Sequence, residues 1–332
     1  MTTGASLPIS LLYREETLRP YFPANTDAHI RQFKRSIDAA NEFLRAHPPE
    51  SLARGGHKIK GLARALQYFK DETFLTLYAF VSLDMGGSAA QIAERERLFT
   101  ELLRVALPHL KLEVTRPVVE LEKQVTPSAD YLGGLAQRFA AEPDACHPVW
   151  YLRVLGSENK SLEGSTHSDA ILSFAGDRRV MVEAKFLSDI STSTKYASHR
   201  DQISRNLDAG LAQAGYDLDR FAYVFITPRC FRDRPQSRFY GYKLTEYMDL
   251  GTGPDALRRD LPHLGSPERR VDFAELSRRI GWVTWEEICE VVTGSPAFRA
   301  PEFPREGFEQ FFRERCLWPG GGISPLVGGG RC

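Results

Sequence analysis

Residues 168–186 read Ser-Asp-Ala-Ile-Leu-Ser-Phe-Ala-Gly-Asp-Arg-Arg-Val-Met-Val-Glu-Ala-Lys-Phe, two largely apolar runs separated by a Gly-Asp pair. The runs Asp169 to Ala175 and Arg179 to Leu187 have the length and composition of strands, and Gly176 and Asp177 are turn formers, so the stretch predicts a β-hairpin. Side chains alternate along a strand, which puts Glu183 and Lys185 on one face and Val180, Val182, Ala184 and Phe186 on the other. The apolar face can be buried against a helix. The face that carries a carboxylate and an ammonium needs a separate explanation.

Register decides whether Asp169 joins that polar face. A two-residue turn at Gly176-Asp177 would set Asp169 opposite Ala184, on the wrong side of the sheet. A three-residue loop from Gly176 to Arg178 would set it opposite Lys185 and diagonal to Glu183. An odd-length loop, or a compensating bulge, is therefore expected if the two acids are to share a cation.

Downstream of the hairpin, residues 198–215 predict a helix with Ile203, Leu207, Leu211 and Ala214 on one face, and Phe221 to Thr227 predicts a buried strand stopped by Pro228. Upstream, Trp150 to Leu155 is a short apolar element followed by a polar loop. From Asp27 to Ala141 apolar residues recur three and four apart, as in Ile30-Phe33-Ile37 and Leu98-Leu102-Leu103-Ala106, which predicts five or six helices and almost no strand. The chain reads as helical again after the apolar strand, with capping-box spacing at Asp272/Glu275 and Thr284/Glu287. Glycine dominates from Pro319 onward, so a mobile tail is expected there. These boundaries give a helical module at 1–147, an α/β domain with C-terminal helices at 148–318, and a Gly-rich tail at 319–332.

The 332 residues are 42% hydrophobic and 26% charged, the composition of a globular protein. Lys plus Arg equals Asp plus Glu at 43 each, so any nucleic-acid contact has to come from a local patch rather than from a generally basic protein. Cys146, Cys230, Cys289, Cys316 and Cys332 form no CxxC pair or zinc spacing, which suits free thiols in a reducing compartment. With no basic leader and no apolar run of about 18 residues, the expectation is a cytoplasmic chain that does not engage a membrane.

Phosphodiester hydrolysis calls for a hard cation, a water made nucleophilic beside it, and a positive group to offset developing charge. Asp169, Glu183 and Lys185 offer those parts. Taken alone, an acid-x-Lys strand is more often a salt-bridged, solvated hairpin face. In their order along the chain, however, Ser168-Asp169, Glu183-Ala184-Lys185, the helix bearing Gln202, Arg205 and Asn206, and the apolar strand after it resemble the PD-(D/E)xK nuclease superfamily, which includes many restriction endonucleases. The resemblance spans roughly Trp150 to Thr227, and Ser168 stands where the motif's name has proline.

The resemblance implies a restriction-endonuclease-like α/β fold, a mixed sheet flanked by helices. It implies Asp169 and Glu183 as ligands of magnesium, with manganese able to substitute, and the Ala184 carbonyl as a further ligand. Lys185 would orient or activate the attacking water, and Gln202 would lie beside the acidic pair. An additional acid is often supplied by a helix, for which Glu158 and Glu163 are both candidates, Glu163 being preferred. The implied activity is magnesium-dependent cleavage of DNA, in restriction or foreign-DNA defence, with the helical module selecting the target or making a homodimer. A partner subunit of a defence system is left open. Two other readings stand beside it: a non-catalytic DNA-binding or scaffold protein that retains the fold, and a nuclease of the same fold acting on RNA or in repair. His167 and His199 flank the motif but read as surface hydrogen-bonders, and Trp282 and Trp285 read as core anchors. Lys58, Lys60, Arg64 and Lys70 form a basic stripe that a solvated helix face explains equally well.

Overall fold

The hairpin forms the middle of a five-stranded sheet. The structure, a computed structural model, describes residues 9–47, 62–84, 89–141, 163–192, 200–267 and 269–320. The short element expected at Trp150–Leu155, Glu158, His199 and the tail from residue 321 lie outside them.

Strands β2 (Thr166–Phe174) and β3 (Arg178–Ala184) pair antiparallel, with Phe174 opposite Arg178 and Ala170 opposite Val182. The loop is the three residues 175–177, in which Gly176 (φ 80°) and Asp177 (φ 57°) adopt the left-handed conformation that glycine and aspartate tolerate. Its length is odd, as expected, but it sits one residue earlier than expected. Continuing the observed pairing by one step sets Asp169 directly opposite Glu183.

β4 (Phe221–Thr227) lies parallel to β3, and β5 (Ile280–Thr284) lies parallel to β4. β1 (Val118–Val125) pairs antiparallel with β2 and closes the other edge, so the order β1-β2-β3-β4-β5 makes a mixed sheet. Two of these strands correct the sequence reading. β1 falls inside the stretch expected to be helical, because Leu121, Glu122, Lys123 and Gln124 are good helix formers and outweigh the alternation of Val119, Leu121 and Val125 between Pro117 and Pro127. β5 was hidden among C-terminal helices because it is five residues long and contains a glycine. That glycine has a packing reason, since a β-carbon on Gly281 would run into the Ala106 carbonyl.

Helices cover both faces. α1 (Thr26–Ala46), α2 (Leu62–Lys70), α3 (Glu72–Asp84) and α4 (Ala89–Ala106) precede β1, and α5 (Ala129–Ala141) follows it. α6 (Gln202–Gln213) joins β3 to β4. α7 (Phe239–Met248), α8 (Gly253–Asp260) and α9 (Phe273–Arg278) lie between β4 and β5, and α10 (Trp285–Thr293) and α11 (Arg305–Glu314) end the described chain. On one face, Ala170, Leu172, Val180, Val182 and Ala184 share a core with Phe33, Phe74, Phe80, Phe99, Trp285 and Phe311, so helices from both ends of the chain pack together there. The expected module 1–147 and the expected domain 148–318 thus contribute to a single core. α3 is apolar on nearly every side because it runs through the middle of that core, with Phe74 to Leu83 all buried. On the other face, Ile171, Met181, Phe221, Tyr223 and Phe225 pack with Ile203, Leu207, Tyr240 and Trp282. Thr284 completes the expected capping box with Glu287, whereas Asp272 caps α9 alone and Glu275 turns to Arg279 at 2.7 Å. No described helix is long and apolar enough to cross a membrane.

Candidate active site

At the carboxyl end of β3 the chain runs Val182-Glu-Ala-Lys-Phe186, and ligands of open α/β sheets collect at such strand ends. Glu183 and Lys185 share the face that carries Met181, as alternation requires, and their side chains meet with Lys185 Nζ 2.5 Å from Glu183 Oε1. Gln202 Nε2 donates to the same carboxylate oxygen at 2.6 Å and Asn206 Nδ2 donates to Oε2 at 2.7 Å, both from the first turns of α6. Asp201 makes this possible by capping α6, its side chain accepting from the Ser204 N–H. Asp169 takes over where the β2 ladder ends: its Oδ2 accepts the Ala184 N–H at 2.7 Å. The N–H and carbonyl of one strand residue leave on the same edge, so the Ala184 carbonyl shares the Asp169 side.

The structure therefore brings Asp169, Glu183, Ala184, Lys185 and Gln202 together. Glu163 has a different setting. Its buried carboxylate accepts from the Tyr131 hydroxyl at 2.8 Å and pairs with Arg200 at 3.4 Å and Arg205 at 2.9 Å. The helical acid at Lys185 is Glu72, at the start of α3, whose Oε2 lies 3.8 Å from the ammonium and whose Oε1 accepts the Phe186 N–H at 2.8 Å. Glu72 lies 97 residues upstream of Asp169 by their numbers, and nothing local in the sequence marks it. Its position on the first turn of a helix, next to the exit of β3, is a tertiary fact.

A second acid escaped the sequence reading. Glu122 of β1 falls opposite Asp169, between the pairs Leu121–Ala170 and Lys123–Ser168, which puts Glu122, Asp169 and Glu183 in one row across three strands. Its φ of 51° is left-handed, a conformation that strains any residue with a β-carbon. The strand turns over at this point: Val119 and Leu121 pack in the core of one face, and Val125, of the same parity, packs in the core of the other. Thr73 of α3 donates to the Glu122 carboxylate at 3.1 Å.

Electrostatics follow from this crowding. Burial, and then the Glu183 charge, push the Asp169 carboxyl well above the usual carboxylate range, and burial raises Glu183 against the opposing pull of Lys185. Burial also pushes Glu122 up, to about 6. Burial alone would lower the Lys185 ammonium, but Glu183, Asp169 and Glu72 together raise it above its ordinary value, so it stays charged. One ammonium thus serves several carboxylates.

The groups that could hold a divalent cation there are the Asp169 and Glu183 carboxylates and the Ala184 carbonyl. The donors are all oxygen, which suits magnesium or manganese rather than zinc. Among the described residues no group of three or more His, Cys, Asp or Glu side chains forms a metal cage. The arrangement is instead a carboxylate pair beside a lysine, and magnesium is commonly held by one or two carboxylates while keeping several waters. Trp285, buried, donates its indole N–H to the Lys185 carbonyl at 3.0 Å and Trp282 donates to Thr227 at 2.8 Å, so both act as anchors. His167 is exposed. No family model matches this chain, and no curated protein or solved structure matches it.

Proposed function

We propose that this chain is a metal-dependent nuclease with a restriction-endonuclease-like fold, cutting DNA at the site formed by Asp169, Glu183 and Lys185. The observation that carries this reading is the register of the β2–β3 hairpin. It sets Asp169 opposite Glu183, two residues before Lys185, on sheet positions where burial and then the Glu183 charge raise the Asp169 carboxyl. A buried carboxylate beside a half-buried one is unfavourable without a cation and favourable around one.

The roles of the residues follow from their contacts. Asp169 and Glu183 would hold the cation, with the Ala184 carbonyl beside them. The metal, when bound, would polarise the phosphate and lower the pKa of a bound water. Gln202 and Asn206 fix the Glu183 carboxylate from two sides, which limits its rotation. Lys185 keeps its charge at the site, where it can orient water and offset negative charge that develops on the phosphate. Glu72 receives the Phe186 N–H and faces Lys185, so it holds the end of β3 in place.

The 2.5 Å contact between Lys185 and Glu183 favours a second reading, a structural ion pair on a fold without activity. The two are separated by incubating plasmid, single-stranded DNA and RNA with the wild type, Asp169→Asn and Glu183→Gln, with and without magnesium. The nuclease reading expects metal-dependent cutting by the wild type and none by either variant, because both discard a ligand charge. Absence of cutting of every substrate by the wild type leaves the structural ion pair, and cutting of RNA alone moves the substrate from DNA to RNA.

A further inference from the structure

The stretch 228–238, Pro-Arg-Cys-Phe-Arg-Asp-Arg-Pro-Gln-Ser-Arg, carries four arginines and one aspartate in a chain whose formal net charge is +0. The fold ties both of its ends to the exit of β3. At the start, Ala184 pairs with Ile226 and the Lys185 N–H donates to the Ile226 carbonyl at 2.8 Å, so Pro228 follows two residues after the partner of Lys185. At the end, the Asp189 carboxylate accepts the N–H groups of Phe239 at 2.8 Å and Tyr240 at 3.2 Å. The segment is also held down between those ties, since a β-carbon on Gly241 would run into the Pro235 carbonyl.

The four arginines divide into two pairs. Arg229 and Arg232 bind Glu290 at 2.9 Å and Glu287 at 2.6 Å, which fastens the segment to α10. Arg234 is exposed and has no carboxylate partner among the described residues, and Arg238, half-buried, lies 4.3 Å over the Phe231 ring with no carboxylate partner among the described residues. A guanidinium presents a planar fork of donors that matches phosphate oxygens, and one fixed on a rigid segment loses less freedom on pairing. We infer that residues 228–238 form a nucleic-acid-binding surface on which Arg234 and Arg238 hold the phosphate backbone, so that a strand is presented to Asp169, Glu183 and Lys185. This rests on the nuclease reading for its partner. It accounts for how a chain without excess positive charge could bind a polyanion.

The test measures the affinity of the full chain for a short fluorescent DNA duplex across a salt series, with calcium in place of magnesium so that binding is read without cutting. Arg234→Ala and Arg238→Ala should each weaken binding several-fold and flatten the log–log salt dependence by about 0.9, the change expected when one fewer phosphate is neutralised. The double variant should show both effects added. Arg45→Ala and Arg104→Ala, exposed charges on α1 and α4 of the other layer, should leave affinity and slope unchanged. Arg238→Lys keeps the charge but loses the planar fork and its stacking on Phe231, and should fall between wild type and Arg238→Ala. The surface is overturned if the double variant binds with wild-type affinity and slope, or if the two control variants weaken binding as much. Wild type that cuts DNA while the double variant binds normally removes the surface and keeps the nuclease. Wild type that binds through these arginines but cuts nothing keeps the surface and removes the nuclease, and wild type that binds no nucleic acid removes the surface.

Discussion

Two clusters of buried charge draw on the same helix, α6, through Gln202 and Asn206 in one and Arg205 and Asp208 in the other, yet they differ in balance. In the first, Asp208 is 0% exposed and Glu163 4%, and both meet Arg200, which is 1% exposed. Arg205 adds a second cation to Glu163, and His263 Nε2 donates to the Asp208 carboxylate at 2.8 Å. Against the cost of burial, the His263 hydrogen bond and the Arg200 charge hold the Asp208 carboxyl down to about 2. In the second, Glu183 is 1% exposed, as buried as any of these, and it shares the one ammonium of Lys185 with Asp169 and Glu72. There the Asp169 and Glu183 carboxyls are pushed up instead. Equal burial with opposite shifts shows that desolvation does not separate the clusters; the supply of positive charge does. The first sets two arginines and a histidine against its two carboxylates, whereas the second sets one ammonium against several.

The effect on folding is therefore greatest at the Arg200 cluster. Arg200→Ala leaves Asp208 and Glu163 buried without their common partner and should destabilise the fold by about 3–5 kcal/mol, read as a shift in the urea midpoint. A midpoint unchanged by the substitution would dissolve the comparison. Asp169→Asn should do the reverse in metal-free protein, holding or raising stability, because the charge it removes is one that burial and Glu183 already disfavour.

The next effect is on rate. Lys185→Ala should lower cleavage by on the order of a hundredfold, the scale for one well-placed electrostatic group, and should change DNA affinity little. Single-turnover cutting and binding measured on the same duplex separate the two quantities, and undiminished cutting takes Lys185 out of the mechanism.

A smaller effect depends on pH. Glu122, raised to about 6, contributes stability that is fully present below its unfolded value of about 4.5 and is lost as pH rises through about 6. Asp169 and Glu183, also raised, act in the same direction. Asp208 acts oppositely: its contribution is present above its unfolded value of 3.8 and is lost as pH falls towards about 2. Without metal, stability should thus decline as pH rises from about 4.5 through about 6. The rise in melting temperature on adding magnesium should grow over the same range, because the ligands must be deprotonated to bind. Stabilisation by magnesium that is independent of pH would place the metal away from these carboxylates.

The parts of the site that were legible in the sequence are those that local rules fix. Period-two alternation puts Glu183 with Lys185, and a register argument requires an odd loop for Asp169. Helical spacing puts Gln202 on the first turn of α6. Glu72, Glu122 and the true setting of Glu163 were not legible, because each depends on which elements pack together and not on spacing along the chain. The fold divides in the same way. β2, β3, α6 and β4 are strongly patterned, whereas β1 is composed of helix formers and β5 is shorter than a periodicity can declare itself. Both edge strands owe their conformation to the sheet they join, which is the tertiary override that limits propensity.

At Glu122 the expected effect is small, and it separates strain from charge. A left-handed conformation costs a residue with a β-carbon about 1–2 kcal/mol, and glycine avoids that cost while losing about 0.5–1 kcal/mol in chain entropy on folding. Glu122→Ala and Glu122→Gly discard the same carboxylate, so the difference between them reports the backbone alone. The glycine variant should be the more stable of the two by up to about 1 kcal/mol, measured by chemical denaturation. Equal stabilities would mean that the strand adopts this conformation without strain, and the irregularity at Glu122 would then carry no functional weight. If the glycine variant is the more stable and both variants cut DNA as fast as wild type, the strain serves only the turnover of β1 that sends Leu121 to one core and Val125 to the other. If both variants cut slowly while the glycine variant folds more stably than wild type, the protein retains a strained glutamate at a cost in stability, and the carboxylate belongs with Asp169 and Glu183 in the Lys185 cluster.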